Sequence, residues 1–104
     1  MSLTPDYNHW QQAMDLIKQS ADDEQHALLL TMLMTPDERE ALLARVNIFN
    51  ELLKGDLSQR QISQLLGVGV ATITRGSNEL KNHSEVDKEW LQQLLSGERG
   101  EKRA

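Results

Sequence analysis

Between Leu57 and Asn78 the sequence offers Ser58, Gln59, Arg60, Thr72, Thr74, Ser77 and Asn78, and no carboxylate. These are the side chains that hydrogen-bond to phosphate oxygens and base edges. The chain has 104 residues and a net charge of −5, so it does not coat nucleic acid by bulk attraction. The charge is uneven, however. Residues 1–34 hold one basic and five acidic side chains, whereas residues 56–82 hold Arg60, Arg75 and Lys81 against Asp56 and Glu79. An acidic chain with one acid-free window keeps that surface compatible with a polyanion. Inside the same region, ATITRGSNELK (71–81) places Gly76 in the middle of a helical run, directly after Arg75. A glycine there costs about 1 kcal/mol relative to alanine. Something around it must compensate.

Other chemistries find little support. There is no cysteine, which excludes disulfides and thiolate chemistry. His9, His26 and His83 are scattered, without a second metal ligand of suitable type one turn away, and read as surface histidines. Asp37, Glu38 and Asp87 stand at helix starts, where they offset the helix dipole rather than act as acids or bases. No glycine-rich loop follows a strand, so a phosphate cradle has no setting. No apolar run is long enough to span a bilayer, and MSLTPDYNHW lacks the basic and apolar regions of a signal peptide. A cytoplasmic protein with no membrane partner, no metal and no enzymatic activity is expected.

The elements that must position these residues are all helical. Thr4-Pro5 reads as an N-cap followed by proline, opening a helix to about Ser20. The polar break SADDE precedes a short apolar helix from about Glu24 to Leu33. Thr35 and Glu38 form a capping box around Pro36, starting a helix that runs to Lys54 and stops at Gly55. Ser58 and Gln61 form a second box, and that helix ends at Gly67 in the turn GVG. A fifth helix runs from Gly69 or Val70 to about Asn82, and Ser84 caps a sixth that ends before Gly97. The expectation is one all-α domain over 1–104, with six helices and a frayed charged tail over 97–104. Residues 57–82 form a helix-turn-helix whose second helix reads DNA. Ile62, Leu65 or Leu66, Val68 and Ile73 supply the contacts that hold its angle. An aliphatic core this thin also favours oligomerisation.

With MLMTPDEREAL (32–42), Arg45 and ATITRGSN (71–78) at their present spacing, the chain resembles the tryptophan repressor family of bacterial transcription factors over about Trp10 to Leu95. The resemblance implies an intertwined homodimer that binds double-stranded operator DNA of tryptophan biosynthesis and transport genes, with L-tryptophan as corepressor. By position, Arg45 and Arg75 would sandwich the indole, and Arg75 and Thr35 would engage its carboxylate. Carbonyls at Met32 and Met34 would take the ammonium group, and Gly76 would line the wall the ligand packs on. A planar guanidinium both stacks on a ring and forks a carboxylate, which lysine does not do. For DNA, the resemblance implies Arg60 at a base and Ser58, Gln59, Thr72, Thr74, Ser77, Asn78 and Lys81 near the backbone. Gly69, Val70 and Ala71 would face the major groove, where their short groups favour readout through water, methyl contacts or DNA shape.

Three residues depart from the family's usual pattern. Glu79 stands in place of a serine beside the ligand's ammonium group, and is placed to pair with that cation or with Arg75. Phe49 replaces a smaller aliphatic near the indole pocket. Ser63 replaces a frequent lysine, removing a phosphate contact. The alternative is therefore a related helix-turn-helix regulator with an altered or lost small-ligand response. A small helical enzyme would need converging basic residues, and Arg39, Arg45 and Arg60 scatter around helix faces.

Overall fold

The computed structural model describes residues 3–97, and these form six α-helices with no strand among them. The helices are α1 (Trp10–Asp22), α2 (His26–Leu33), α3 (Pro36–Lys54), α4 (Gln59–Leu66), α5 (Val70–Lys81) and α6 (Glu85–Ser96). The expected tail lies, past Gly97, outside the described residues. Two compact units divide the chain, Met1–Glu40 and Ala41–Ala104.

In the first unit α1 packs on α2. The start of α1 differs from the expectation built on Thr4-Pro5. Residues 5–9 are not helical, because the Gln12 side chain takes over their backbone. Its Oε1 accepts the N–H groups of Asn8 and His9 at 2.7 and 2.9 Å, and its Nε2 donates to the Asp6 carbonyl. Those amides satisfied, the helix begins at Trp10. Between α1 and α2, Glu24 adopts a left-handed φ of 59°, a conformation more often given to glycine. The Thr35–Glu38 box closes as the sequence predicts: Glu38 Oε1 accepts from Thr35 N at 2.8 Å, and Thr35 Oγ1 from Glu38 N at 3.1 Å.

The second unit is organised by three isoleucines. Ile48 of α3, Ile62 of α4 and Ile73 of α5 are each at most 1% exposed. Phe49, Leu52, Leu57, Leu66 and Val68 close around them. Of the two leucines open to choice, Leu66 packs inward while Leu65 is 60% exposed. The Ser58–Gln61 box starts α4, and Gly67 ends it with a left-handed φ of 69°. Ser63 ties the turn twice. Its carbonyl accepts the N–H groups of Gly67 and Val68, and its hydroxyl donates to the Val68 carbonyl. Gln92 of α6 reaches back to the Leu53 carbonyl at 3.2 Å.

Gly76 is buried where α5 crosses α3. A Cβ at this position would stand 2.9 Å from Ile48 Cγ2 and 3.4 Å from Phe49 Cε1. The first distance is a clash with a fully buried side chain, so the glycine is required by close helix approach. Its helix-propensity cost is offset by the packing it permits. The wall expected there for a ligand is filled by the protein's own Ile48 and Phe49.

Gly76→Ala tests this. Helix propensity alone would stabilise by about 1 kcal/mol, whereas overpacking costs about 1–3 kcal/mol. Because Ile48 has no room to yield, a net loss is expected, read as a lower urea midpoint; a gain in stability would contradict the packing account.

Candidate functional site

Helix α5 has two sides. Ile73, Gly76 and Leu80, spaced three and four residues apart, are buried against the rest of the unit. The opposite side exposes Val70, Ala71, Thr74, Asn78 and Lys81, with Thr72 and Ser77 half-buried along its edges. Gly69 caps the start of the helix and is open, with nothing within 4 Å of where a Cβ would stand. On α4 and its cap, Ser58 and Arg60 are exposed and Gln59 is half-buried. Arg60 makes no ion pair among the described residues. Gln59 and Thr74 meet across the two helices, Thr74 Oγ1 lying 2.9 Å from Gln59 Oε1 as its donor. The helix-turn-helix thus carries no carboxylate from Leu57 to Asn78, and its angle is held by this bond, the Ser63 contacts and the isoleucine cluster.

Three expected ligand residues come together behind that surface. Arg45, Phe49 and Glu79 line one cavity of about 380 Å³, with Leu80, His83, Asp87, Lys88, Trp90 and Leu91. Phe49, Leu80, Trp90 and Leu91 make it apolar and aromatic, while Arg45 and Lys88 bring positive charge to its wall and Glu79 and Asp87 negative. Such a cavity suits an aromatic molecule that carries both an acid and an amine. The guanidinium of Arg45 sits over the Phe49 ring, 5.2 Å from its centroid. Arg75 does not line the cavity; it is exposed and donates to Thr72 Oγ1 at 3.1 Å. Glu79 does not pair with Arg75. It turns instead toward His83, Oε2 to Nε2 3.2 Å.

Met32, Met34 and Thr35 belong to the first unit. Met32 is exposed, whereas the carbonyl of Met34 already accepts from Arg39 Nη1 at 2.8 Å, as does that of Thr31 at 3.0 Å. The Thr35 hydroxyl accepts as a helix cap, which leaves its own proton to donate.

Two features escape sequence reasoning. Arg39 looks in the sequence like a scattered base, although it follows the Thr35-Pro36 start closely enough to reach back to the last carbonyls of α2. His83 looks like an isolated surface residue, yet its ring lies between Glu79 and, at 3.9 Å, Asp87. The signal for it is the spacing of four between residues 79, 83 and 87. No group of residues able to hold a metal occurs among the described residues.

Similarity to known proteins runs along most of the chain. The profile of the family described as Trp repressor protein matches residues 8–95. A "Trp operon repressor homolog" of Vibrio campbellii is 70% identical over 95 residues, covering 91% of this chain and 95% of that protein. One from Vibrio vulnificus is 69% identical over 97 residues, covering 93% and 95%. One from Aliivibrio fischeri is 68% identical over 95 residues, covering 91% and 88%. A six-helix chain, a helix-turn-helix with an acid-free face and a match along nearly its whole length lead to one conclusion: the chain belongs to the Trp repressor family.

Proposed function

We propose that the chain is a transcriptional repressor that binds duplex operator DNA as a homodimer when L-tryptophan occupies the cavity behind α5. The observation that carries this reading is that one helix has both an exposed side and residues that line the cavity. Val70, Ala71 and Thr74 lie on its exposed, acid-free side, while Glu79 and Leu80 line the cavity shared with Arg45. A ligand in that cavity therefore bears directly on the helix that would enter the major groove. Regulation rather than turnover is the activity, in keeping with a family of repressors. Operators of tryptophan supply genes are the proposed targets, and the cytoplasm the place of action.

The tryptophan ring would use the aromatic end of the cavity and the Arg45 plane. Glu79 would take the ammonium group, giving up His83, and Arg75 would swing from Thr72 to fork the carboxylate. Thr35, with its free hydroxyl proton, and Met32 and Met34 are proposed to add the remaining contacts. In helix-turn-helix dimers, Trp repressors among them, the two recognition helices must stand about 34 Å apart to enter successive major grooves. The ligand acts only by binding the correctly spaced state more tightly than others. Because α4 and α5 are tied through Ser63 and through Gln59–Thr74, they are expected to move as one body.

The exposed apolar surface supports the dimer. Trp10, Met32, Leu33, Leu43, Val86 and Trp90 are each at least 60% exposed, and only Ile48, Ile62, Ile73 and Leu80 form the buried apolar core among the described residues. A single copy with so few buried side chains is marginal, and a second copy would cover these groups. The alternative, a family member with a changed effector, is favoured by one observation: the face of Arg45 toward Phe49 is already occupied.

Calorimetry on the dimer should give two L-tryptophan sites, and an operator-shift titration should require the ligand. No heat in the millimolar range would favour the alternative effector. Arg75→Ala should abolish tryptophan-dependent operator binding while sedimentation still finds a dimer; unchanged regulation would reject the role given to Arg75. Operator affinity should also fall with salt despite the acidic chain, with a log–log slope of roughly −0.9 per phosphate contacted. Lys81 of two copies makes that slope about −2, and a flat response would argue against phosphate contact.

A further inference from the structure

The contact between Arg45 and Phe49 has the geometry of a bound ligand without the ligand. The two residues stand four apart on α3, one turn, so the ring and the guanidinium face each other by helix geometry alone. The guanidinium carbon is 5.2 Å from the ring centroid, within the range of cation–π attraction. The ring also reaches residue 76, where Phe49 Cε1 would lie 3.4 Å from a Cβ. Ile48 and Leu52 close the same corner, so the ring is seated rather than swinging in solvent. Arg45 makes no ion pair among the described residues, which leaves stacking as its principal engagement.

We propose that Phe49 is an internal competitor for the effector: its ring occupies the face of Arg45 turned toward it, and an aromatic ligand gains that face only by displacing it. This rests on the reading of Arg45 as the residue that stacks on tryptophan. Phe49 then sets the effector concentration at which the repressor switches. Every ligand molecule must first break the self-stacked pair, so the apparent affinity is reduced by the fraction of protein in which the face is free. The same cost falls on every ligand that must take this face, so Phe49 weakens all of them by one common factor and leaves their order of preference to the rest of the cavity.

The test compares the full-length dimer with Phe49→Leu, which keeps an apolar side chain against Gly76 but removes the ring. Calorimetric titration should give L-tryptophan about three- to ten-fold tighter binding to Phe49→Leu. L-phenylalanine bound at the same face should gain by the same factor, so that the preference for tryptophan is unchanged. Half-maximal operator binding should move to lower tryptophan by the same roughly three- to ten-fold. Phe49→Tyr, which restores a ring over Arg45, should restore the weaker binding. Should Phe49→Leu be too unstable to purify, nuclear magnetic resonance of the wild-type dimer gives the same decision. The Arg45 Nε–H signal should start ring-shifted without ligand and change as tryptophan replaces Phe49. Weaker or unchanged tryptophan binding by Phe49→Leu, or an Arg45 signal that does not respond to saturating tryptophan, would overturn the competition while leaving tryptophan as effector. Absence of tryptophan binding to both proteins would overturn the effector reading itself, and the inference with it.

Discussion

The close approach of α5 to α3 is the constraint on which the rest of the second unit depends. It exists because residue 76 has no side chain, and Ile48 and Phe49 lie where one would be. With α5 seated, Ile73 meets Ile48 and Ile62, and that cluster sets the direction of the helix-turn-helix. The same seating puts Glu79 and Leu80 on the wall of a cavity that α3 lines with Arg45 and Phe49. The fold, the exposed side of α5 and the cavity behind it are therefore three consequences of one crossing. Dispersion and burial hold it, and these are steep in distance.

Charge is arranged around this crossing in a compatible way. Carboxylates are absent from the exposed side of the helix-turn-helix and are found where a cation could meet them. Glu79 and Asp87 flank His83, and Lys88 binds Glu85 at 2.9 Å. Exposed pairs of this kind contribute little to stability. Their value is positional: they keep negative charge on the cavity side of α5 and away from the side a phosphate backbone would approach.

Much of this is legible in the sequence, because helix ends have local chemistry. The boxes at Thr35–Glu38 and Ser58–Gln61, the cap at Ser84 and the glycine stops at 55, 67 and 97 all form where the spacing places them. The start of α1 is not legible, since it turns on one side chain, Gln12, that competes for the backbone from inside the helix. Of the cavity, the positions of Arg45, Phe49 and Glu79 can be named in advance, but the contribution of α6 cannot. Which residues of α6 face α5 depends on the angle between them, and no local spacing specifies an angle. Gly76 stands out as anomalous for the right energetic reason, yet the space beside it has a different occupant. From sequence alone, a void for a ligand and a void for a neighbouring isoleucine are indistinguishable.

Ser63 carries a consequence that reaches into kinetics. Its hydroxyl and carbonyl both fasten the turn. A lysine there would attract the duplex from a distance and would have to be ordered on arrival. A serine attracts nothing, but the two helices it joins are already set at their working angle. On the proposed reading, such a preset pair of helices would surrender less conformational freedom on docking to a duplex, an advantage felt in departure rather than in arrival.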